Sequence, residues 1–295
     1  MSNWQGKTDG TPSMQRALVS MLRHTDVRLI YAFMVLWLPF YLISRPSAVN
    51  AQYRYFRHRQ GFGRLKSAAY VLANFYRFGQ VIMDRFAAYA GRKFTYIIER
   101  RELFYDFVDK PEGFMILSSH LGNFEMAGYE LSTPDKRMNV VLYAGDTEEV
   151  MRRREELLGE HNIHLIALQQ DLSHVFEMNN ALANGEVLAM PSDRRMGSPK
   201  TITANVLGAP AKLPMGPFVL AVSREERVLT VFVMKEKWNT YHIYIEQLKQ
   251  RQDVTRNEKM QYLADQYASL LTRLAKQYPA QYYNYFDFWS DKPWL

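Results

Sequence analysis

The chain contains no cysteine. Disulfide frameworks, thiolate nucleophiles and cysteine-held zinc or iron–sulfur centres are therefore excluded. It also lacks a G-x-S-x-G elbow, a Walker loop, an H-E-x-x-H pair and a G-x-G-x-x-G turn. Serine hydrolases, nucleotide-binding proteins and zincins lose their sequence support with them. Fixed-period repeats and low-complexity tracts are missing too, so a solenoid or a disordered tail is a poor description. His161, His164 and His174 fall too irregularly for a metal site, and no cofactor is expected.

Acidic residues are missing from one long stretch. Between Val27 and Met83 there is no Asp or Glu, while Arg28, Arg45, Arg54, Arg57, Arg59, Arg64, Lys66 and Arg77 all fall there. The chain as a whole carries a net charge of +7 over 295 residues. A surface of this kind suits nucleic acid or the anionic face of a membrane. The neighbouring run LIYAFMVLWLPFYLI, residues 29–43, decides for the membrane, because nucleic acid has no use for it. Fifteen residues are too few to cross about 30 Å of hydrocarbon as a helix, which takes roughly 20. Pro39 is expected to kink or end the run. A run of this length also suits a buried core helix, but the flanking Arg28 and Arg45 favour a helix lying in the bilayer surface, with Tyr31, Trp37 and Tyr41 at headgroup level and arginines on lipid phosphates.

Ser67–Ala90 has apolar residues at helical spacing and reads as a second helix. After a turn at Asp106–Pro111 the pattern alternates. Strands are expected at Phe114–Ser118, Val140–Ala144, His164–Leu168, Glu186–Met190, Val228–Met234 and His242–Gln247. Helices are expected at Glu125–Leu131, Glu148–His161, Leu172–Ala183 and Asn257–Tyr278. This is an α/β pattern: a central, mostly parallel sheet flanked by helices, with an N-terminal membrane-associated helical segment. The expected division is residues 1–90 for that segment and 91–295 for the α/β domain.

Ligands in such sheets bind beyond the carboxyl ends of the strands, and FMILS leads directly into SHLGNFE. His120 and Glu125 are five residues apart, so one continuous helix would turn them about 140° away from each other. Gly122 permits a sharp turn, however, and Asn123 is a good cap for a helix that holds Glu125 in its first turn. A chain folded back in this way can aim the carboxylate at the imidazole. His120 is then a general base, Glu125 sets its tautomer, and N–H groups at the helix start or an arginine meet an oxyanion. Such a site suits acyl transfer from a thioester without an enzyme nucleophile. MPSDRRMGS contributes Asp193, Arg194 and Arg195 just after a strand, and an arginine there would bind phosphate. VLGAPAKLPMGP contributes Gly208, Pro210 and Gly216, which as a group also read as a simple turn.

The string H-L-G-N-F-E resembles the first sequence block of the bacterial lipid A late acyltransferases and their lysophospholipid acyltransferase relatives. DRRMG looks like their second block and GAPAKLPMGP like their third. The resemblance covers most of the chain in order, from the apolar N-terminal segment to the aromatic ending YPAQYYNYFDFW. It implies His120 and Glu125 as catalytic residues. Asn123, Asp193, Arg194, Arg195, Gly208, Pro210 and Gly216 would lie at the substrate site, with Arg194 at the acceptor or donor. It further implies an acyl-carrier protein or acyl-CoA donor, a membrane lipid acceptor, an anionic membrane surface as partner, and a place on the cytoplasmic face of the bacterial inner membrane. The aromatic ending departs from the family in carrying Asp287 and no arginine. The alternative is a hydrolase of lipid esters or thioesters that uses the same pair to activate water.

Overall fold

The computed structural model describes residues 12–131, 133–143, 162–168, 173–195, 200–224 and 227–289. Four helices come first: α1 (Pro12–His24), α2 (Val27–Ser44), α3 (Pro46–Arg54), which runs on into a π-turn at Tyr55–Arg59, and α4 (Arg64–Tyr89). A seven-stranded sheet follows, built from β1 (Thr95–Glu99), β2 (Phe114–Ser118), β3 (Met138–Tyr143), β4 (Ile163–Leu168), β5 (Val187–Pro191), β8 (Arg227–Lys235) and β9 (Thr240–Leu248). Its order is β1-β9-β8-β2-β5-β3-β4, and every pairing is parallel except β8 with β9. The sheet is therefore mostly parallel, as the alternation of elements predicts.

The central strand β2 shows why this order is stable. Its five residues, FMILS, are all buried, because β5 and β8 flank it and apolar layers cover both faces. Parallel strands in such a position read as unbroken apolar runs. One face is covered by the helix Arg256–Gln277, which starts at a Thr255/Glu258 capping box. Met260, Leu263, Ala264, Tyr267, Ala268, Leu271, Leu274 and Ala275 form its buried stripe at three- and four-residue spacing. The other face is covered by α5 (Arg101–Val108), through Phe104 and Phe107, and by a 3₁₀ turn at Phe124–Tyr129.

Several expectations change. Residues 106–111 were expected as a turn, yet α5 extends through Val108 before the chain bends. The helix expected from Glu125 is the short 3₁₀ turn, and the helix expected at Glu148–His161 lies outside the described residues. The cluster around Gly208 is a second sheet: β6 (Thr201–Val206) and β7 (Ala209–Pro214) form an antiparallel hairpin. Leu207 and Gly208 turn it with φ of 52° and 79°, the left-handed pair that a tight two-residue hairpin needs. Leu207 N–H donates to Thr272 Oγ1 (3.0 Å), which fastens the turn to the last long helix.

Helix α2 has 18 residues and runs through Pro39 without ending. By length and composition it is able to cross a membrane. Only Val27 and Tyr31 are buried, whereas Leu29, Phe33, Leu36, Trp37, Phe40 and Ile43 are exposed.

Candidate functional site

Strands β2 and β5 are parallel neighbours with Ser118 opposite Pro191. The residues two places beyond, His120 and Asp193, consequently leave the sheet side by side at its carboxyl edge. Ser192 N–H donates to Ser118 O (2.9 Å) and ties the two strand ends together. Tyr267 OH donates to the same carbonyl (2.7 Å), filling an acceptor the ladder leaves open.

Asp193 is fully buried and its carboxylate serves His120 twice. Oδ1 lies 2.7 Å from His120 Nδ1, and the His120 backbone N–H donates to both carboxylate oxygens at 3.2 Å. A carboxylate accepts from Nδ1–H, so the tautomer fixed here carries its lone pair on Nε2. The ring keeps 23% of its side-chain surface exposed, which gives a substrate access to it. Burial, aided by the charge of Arg194, lowers the His120 pKa below the ordinary imidazole value, and Asp193 opposes this only in part. Burial works against the Asp193 carboxylate as well, but the facing imidazole and Arg194 outweigh it and hold that pKa below the usual range. The site thus rests as a neutral imidazole beside an ionised carboxylate, ready to accept a proton.

The carboxylate on the ring is Asp193, and not Glu125 as the expected fold-back at Gly122 and Asn123 suggests. Glu125 Oε1 instead accepts from Arg85 Nη1 (2.7 Å), and its Oε2 from Tyr89 OH (3.2 Å). Both partners come from α4. Glu125 also lines a small, largely apolar cavity that is partly open to solvent. Phe124, Tyr129, Leu131, Met138, Ile163 and Val231 line it too, with Ser118 and Pro191 at the strand ends beside His120.

Gly122 is as sharp a turn as its residue type implies. Its φ is +77°, and an added Cβ would lie 2.0 Å from Val233 O. Its N–H donates to Gln281 O (2.8 Å), Asn123 N–H to Val233 O (2.7 Å), and Leu121 N–H to Ser119 Oγ (3.1 Å). With the His120 N–H on Asp193, four successive donors after β2 have protein partners. The N–H groups expected to meet an oxyanion are therefore already engaged within the protein. Asn123 occupies the cap position, but its side chain makes no capping bond; it is buried and points to Val81 O and Tyr241 OH, each at 3.3 Å.

The remaining expected residues separate. Arg194 is buried: Nε donates to Asn284 Oδ1 and Nη2 to Tyr283 O, both at 2.8 Å, and the guanidinium lies over the Phe286 ring. It is thus engaged by the aromatic ending of the chain, whose Tyr283 N–H in turn donates to His120 O (3.3 Å). Arg195 is half-buried beside it. Gly208 and Pro210 belong to the hairpin, with Pro210 opposite Asn205, and Gly216 opens the helix Gly216–Ser223. Sequence reasoning missed Arg85, Tyr89 and the cavity. The sequence marks both strand ends, FMILS and VLAMP each being followed two residues later by a polar group, but it does not say that the two strands lie side by side.

The family described as bacterial lipid A biosynthesis acyltransferase matches residues 71–287. No curated protein matches. Among solved structures the chain is similar to the 1-acyl-sn-glycerophosphate (LPA) acyltransferase PlsC from Thermotoga maritima. The identity is 13% and the TM-score 0.41, over 90% of this chain and 98% of that one.

Proposed function

The chain belongs to the bacterial lipid A biosynthesis acyltransferase family, and from that premise we propose that it moves a fatty acyl chain from a thioester donor, acyl-carrier protein or acyl-CoA, to a hydroxyl or amine of a membrane lipid such as a lipid A precursor or lysolipid. The observation that carries the site assignment is the 2.7 Å contact between His120 Nδ1 and buried Asp193 at the end of β2. Nε2 takes the acceptor's proton as its oxygen or nitrogen attacks the thioester carbon. Asp193 steadies the imidazolium that forms, and does so without moving. The tetrahedral intermediate collapses, the C–S bond breaks, and the thiolate recovers the proton from His120. No covalent enzyme intermediate is needed, in keeping with a chain without cysteine.

The apolar cavity next to the strand ends supports the same reading, since an acyl chain needs an apolar sleeve close to its reacting carbon. Glu125 acts from the wall of that sleeve, its charge matched by Arg85, and not on the imidazole. The exposed apolar side of α2 and the acid-free stretch around it favour docking on the anionic, cytoplasmic leaflet of the inner membrane. The test is mass spectrometry of bacterial lipid extract incubated with purified protein and acyl-CoA or acyl-carrier protein. An acylated lipid that disappears with His120→Ala is the expected product. Release of free fatty acid with no acylated lipid would assign the pair to hydrolysis.

A further inference from the structure

A second polar cluster is buried where the N-terminal helices meet the sheet, and the reaction described above makes no use of it. Asp84 on α4 and Lys235 at the end of β8 are both excluded from solvent and form an ion pair. Tyr31 OH donates to Asp84 Oδ1 and Tyr241 OH to Asp84 Oδ2. Lys235 Nζ also donates to Trp238 O (2.9 Å) and Tyr31 OH (3.3 Å). Four elements converge on one carboxylate: α2, α4, β8 and β9.

The cluster reaches the catalytic turn by two routes. Asn123 Nδ2 donates to Tyr241 OH (3.3 Å), the hydroxyl that is itself bonded to Asp84. The Lys235 backbone exchanges two bonds with the Gln281 side chain (2.9 and 2.8 Å), and Gln281 O receives the Gly122 N–H. The side chain and the backbone of Lys235 therefore bear on the two residues that follow Leu121, and so on the direction in which the chain leaves His120. A buried ion pair is a poor stabiliser compared with apolar residues of the same volume, so its value lies elsewhere. Extending the proposed acyl transfer, on which this point rests, we propose that Asp84 and Lys235 are positioning residues: through Tyr241 they fix Asn123 and the turn that aims His120, and through Tyr31 they tie that turn to α2, the helix with the exposed apolar face.

Tyr241→Phe deletes only the hydroxyl between Asp84 and Asn123. In mixed micelles of dodecyl maltoside and phosphatidylglycerol, the full chain should stay folded, with its melting temperature lowered less than by Asp84→Leu. Its KM for dodecanoyl-CoA, followed by thiol release, should change little, while kcat falls by about 10²-fold, as for a misaimed base. Nuclear magnetic resonance of isotope-labelled histidine should show the His120 ring leaving its single Nδ1-protonated form. Asp84→Leu alone should lose melting temperature. Asp84→Leu with Lys235→Met should regain it and still keep the low kcat. Wild-type turnover in Tyr241→Phe or in the folded double variant overturns the proposal, because the pair is then a structural staple only. Loss of the fold in both overturns it for the same reason. Absence of thiol release from the wild-type protein counts against the acyl-transfer reading alone, and the His120 ring signals then decide the positioning claim by themselves.

Discussion

Asp193 and Arg194 are neighbours in sequence with opposite effects on His120. Asp193 favours the imidazolium, while burial and Arg194 disfavour it and prevail. A histidine in the unfolded chain takes a proton near pH 6.5, and folded His120 takes one only at lower pH. Two consequences have a definite sign. The acid limb of kcat/KM should fall below about pH 6.5, since the base stays neutral down to there. Stability should also decline as the pH drops below about 6.5, because the unfolded chain then binds the proton more readily than the folded one. An acid limb above that value in a pH–rate profile would contradict the assignment. Asp193→Asn, which releases the tautomer, should reduce kcat by roughly 10²–10⁴-fold, and Glu125→Gln by less, measured by steady-state kinetics at neutral pH. Equal losses would restore Glu125 to the imidazole. Arg194 behaves differently. Its bonds go to Asn284 and Tyr283, so Arg194→Ala should lower the melting temperature by an amount equivalent to about 3 kcal/mol, with little selective rise in the KM for a phosphate-bearing substrate. A large KM change in a protein of wild-type stability would return Arg194 to the binding role its sequence position suggests.

Among the elements, the turn after β2 tolerates the least change. Gly122→Ala meets both a positive φ and a Cβ placed 2.0 Å from Val233 O, whereas Gly208 has an equally positive φ but open space around it. Gly208→Ala should therefore cost only the backbone strain, about 1–3 kcal/mol, and Gly122→Ala distinctly more, as read from chemical denaturation of the two variants. Similar losses would mean that the turn yields more easily than its packing implies. What the sequence reveals follows the same division between local and long-range causes. FMILS is legible as a strand because burial on both faces leaves an unbroken apolar run, and Arg256–Gln277 because its buried positions recur at helical spacing. The hairpin is hidden, because Gly208, Pro210 and Pro214 imitate a loop while a two-residue turn and the last helix hold strands in place. The partner of His120 is hidden for a different reason. Asp193 is 73 residues away and is delivered by the register of β2 against β5, which no local pattern encodes.

For the molecule as a whole, the cluster at Asp84 and the aromatic ending both bind the helical N-terminal region to the sheet, and the exposed apolar face of α2 is the side of that assembly proposed to meet lipid. At 1.5 Å per residue its 18 residues extend about 27 Å. That is near the hydrocarbon thickness, yet Val27 and Tyr31 hold one end of the helix against the protein. Leu65 and Leu72 on α4 are exposed as well, which widens the apolar surface beyond α2. The basic residues divide by use. Arg57 donates to Phe62 O, Arg59 lies over the Trp289 ring and Arg54 pairs with Asp287, whereas Arg64 and Lys66 sit exposed at the start of α4 beside Leu65, Lys66 with its Nζ over the Phe62 ring. Replacing Arg64 and Lys66 with Gln should therefore weaken binding to phosphatidylglycerol vesicles by about 1 kcal/mol each, or roughly 30-fold together, with the difference shrinking as salt is added. Phe33, Trp37 and Phe40 changed together to Ser should release the protein from neutral and anionic vesicles alike, because the apolar contact is then lost. Co-sedimentation with each vesicle type separates the two contributions. Should the triple-serine protein pellet as fully as the wild type, α2 is not the helix that meets the bilayer, and the lipid-facing surface has to lie elsewhere on the fold.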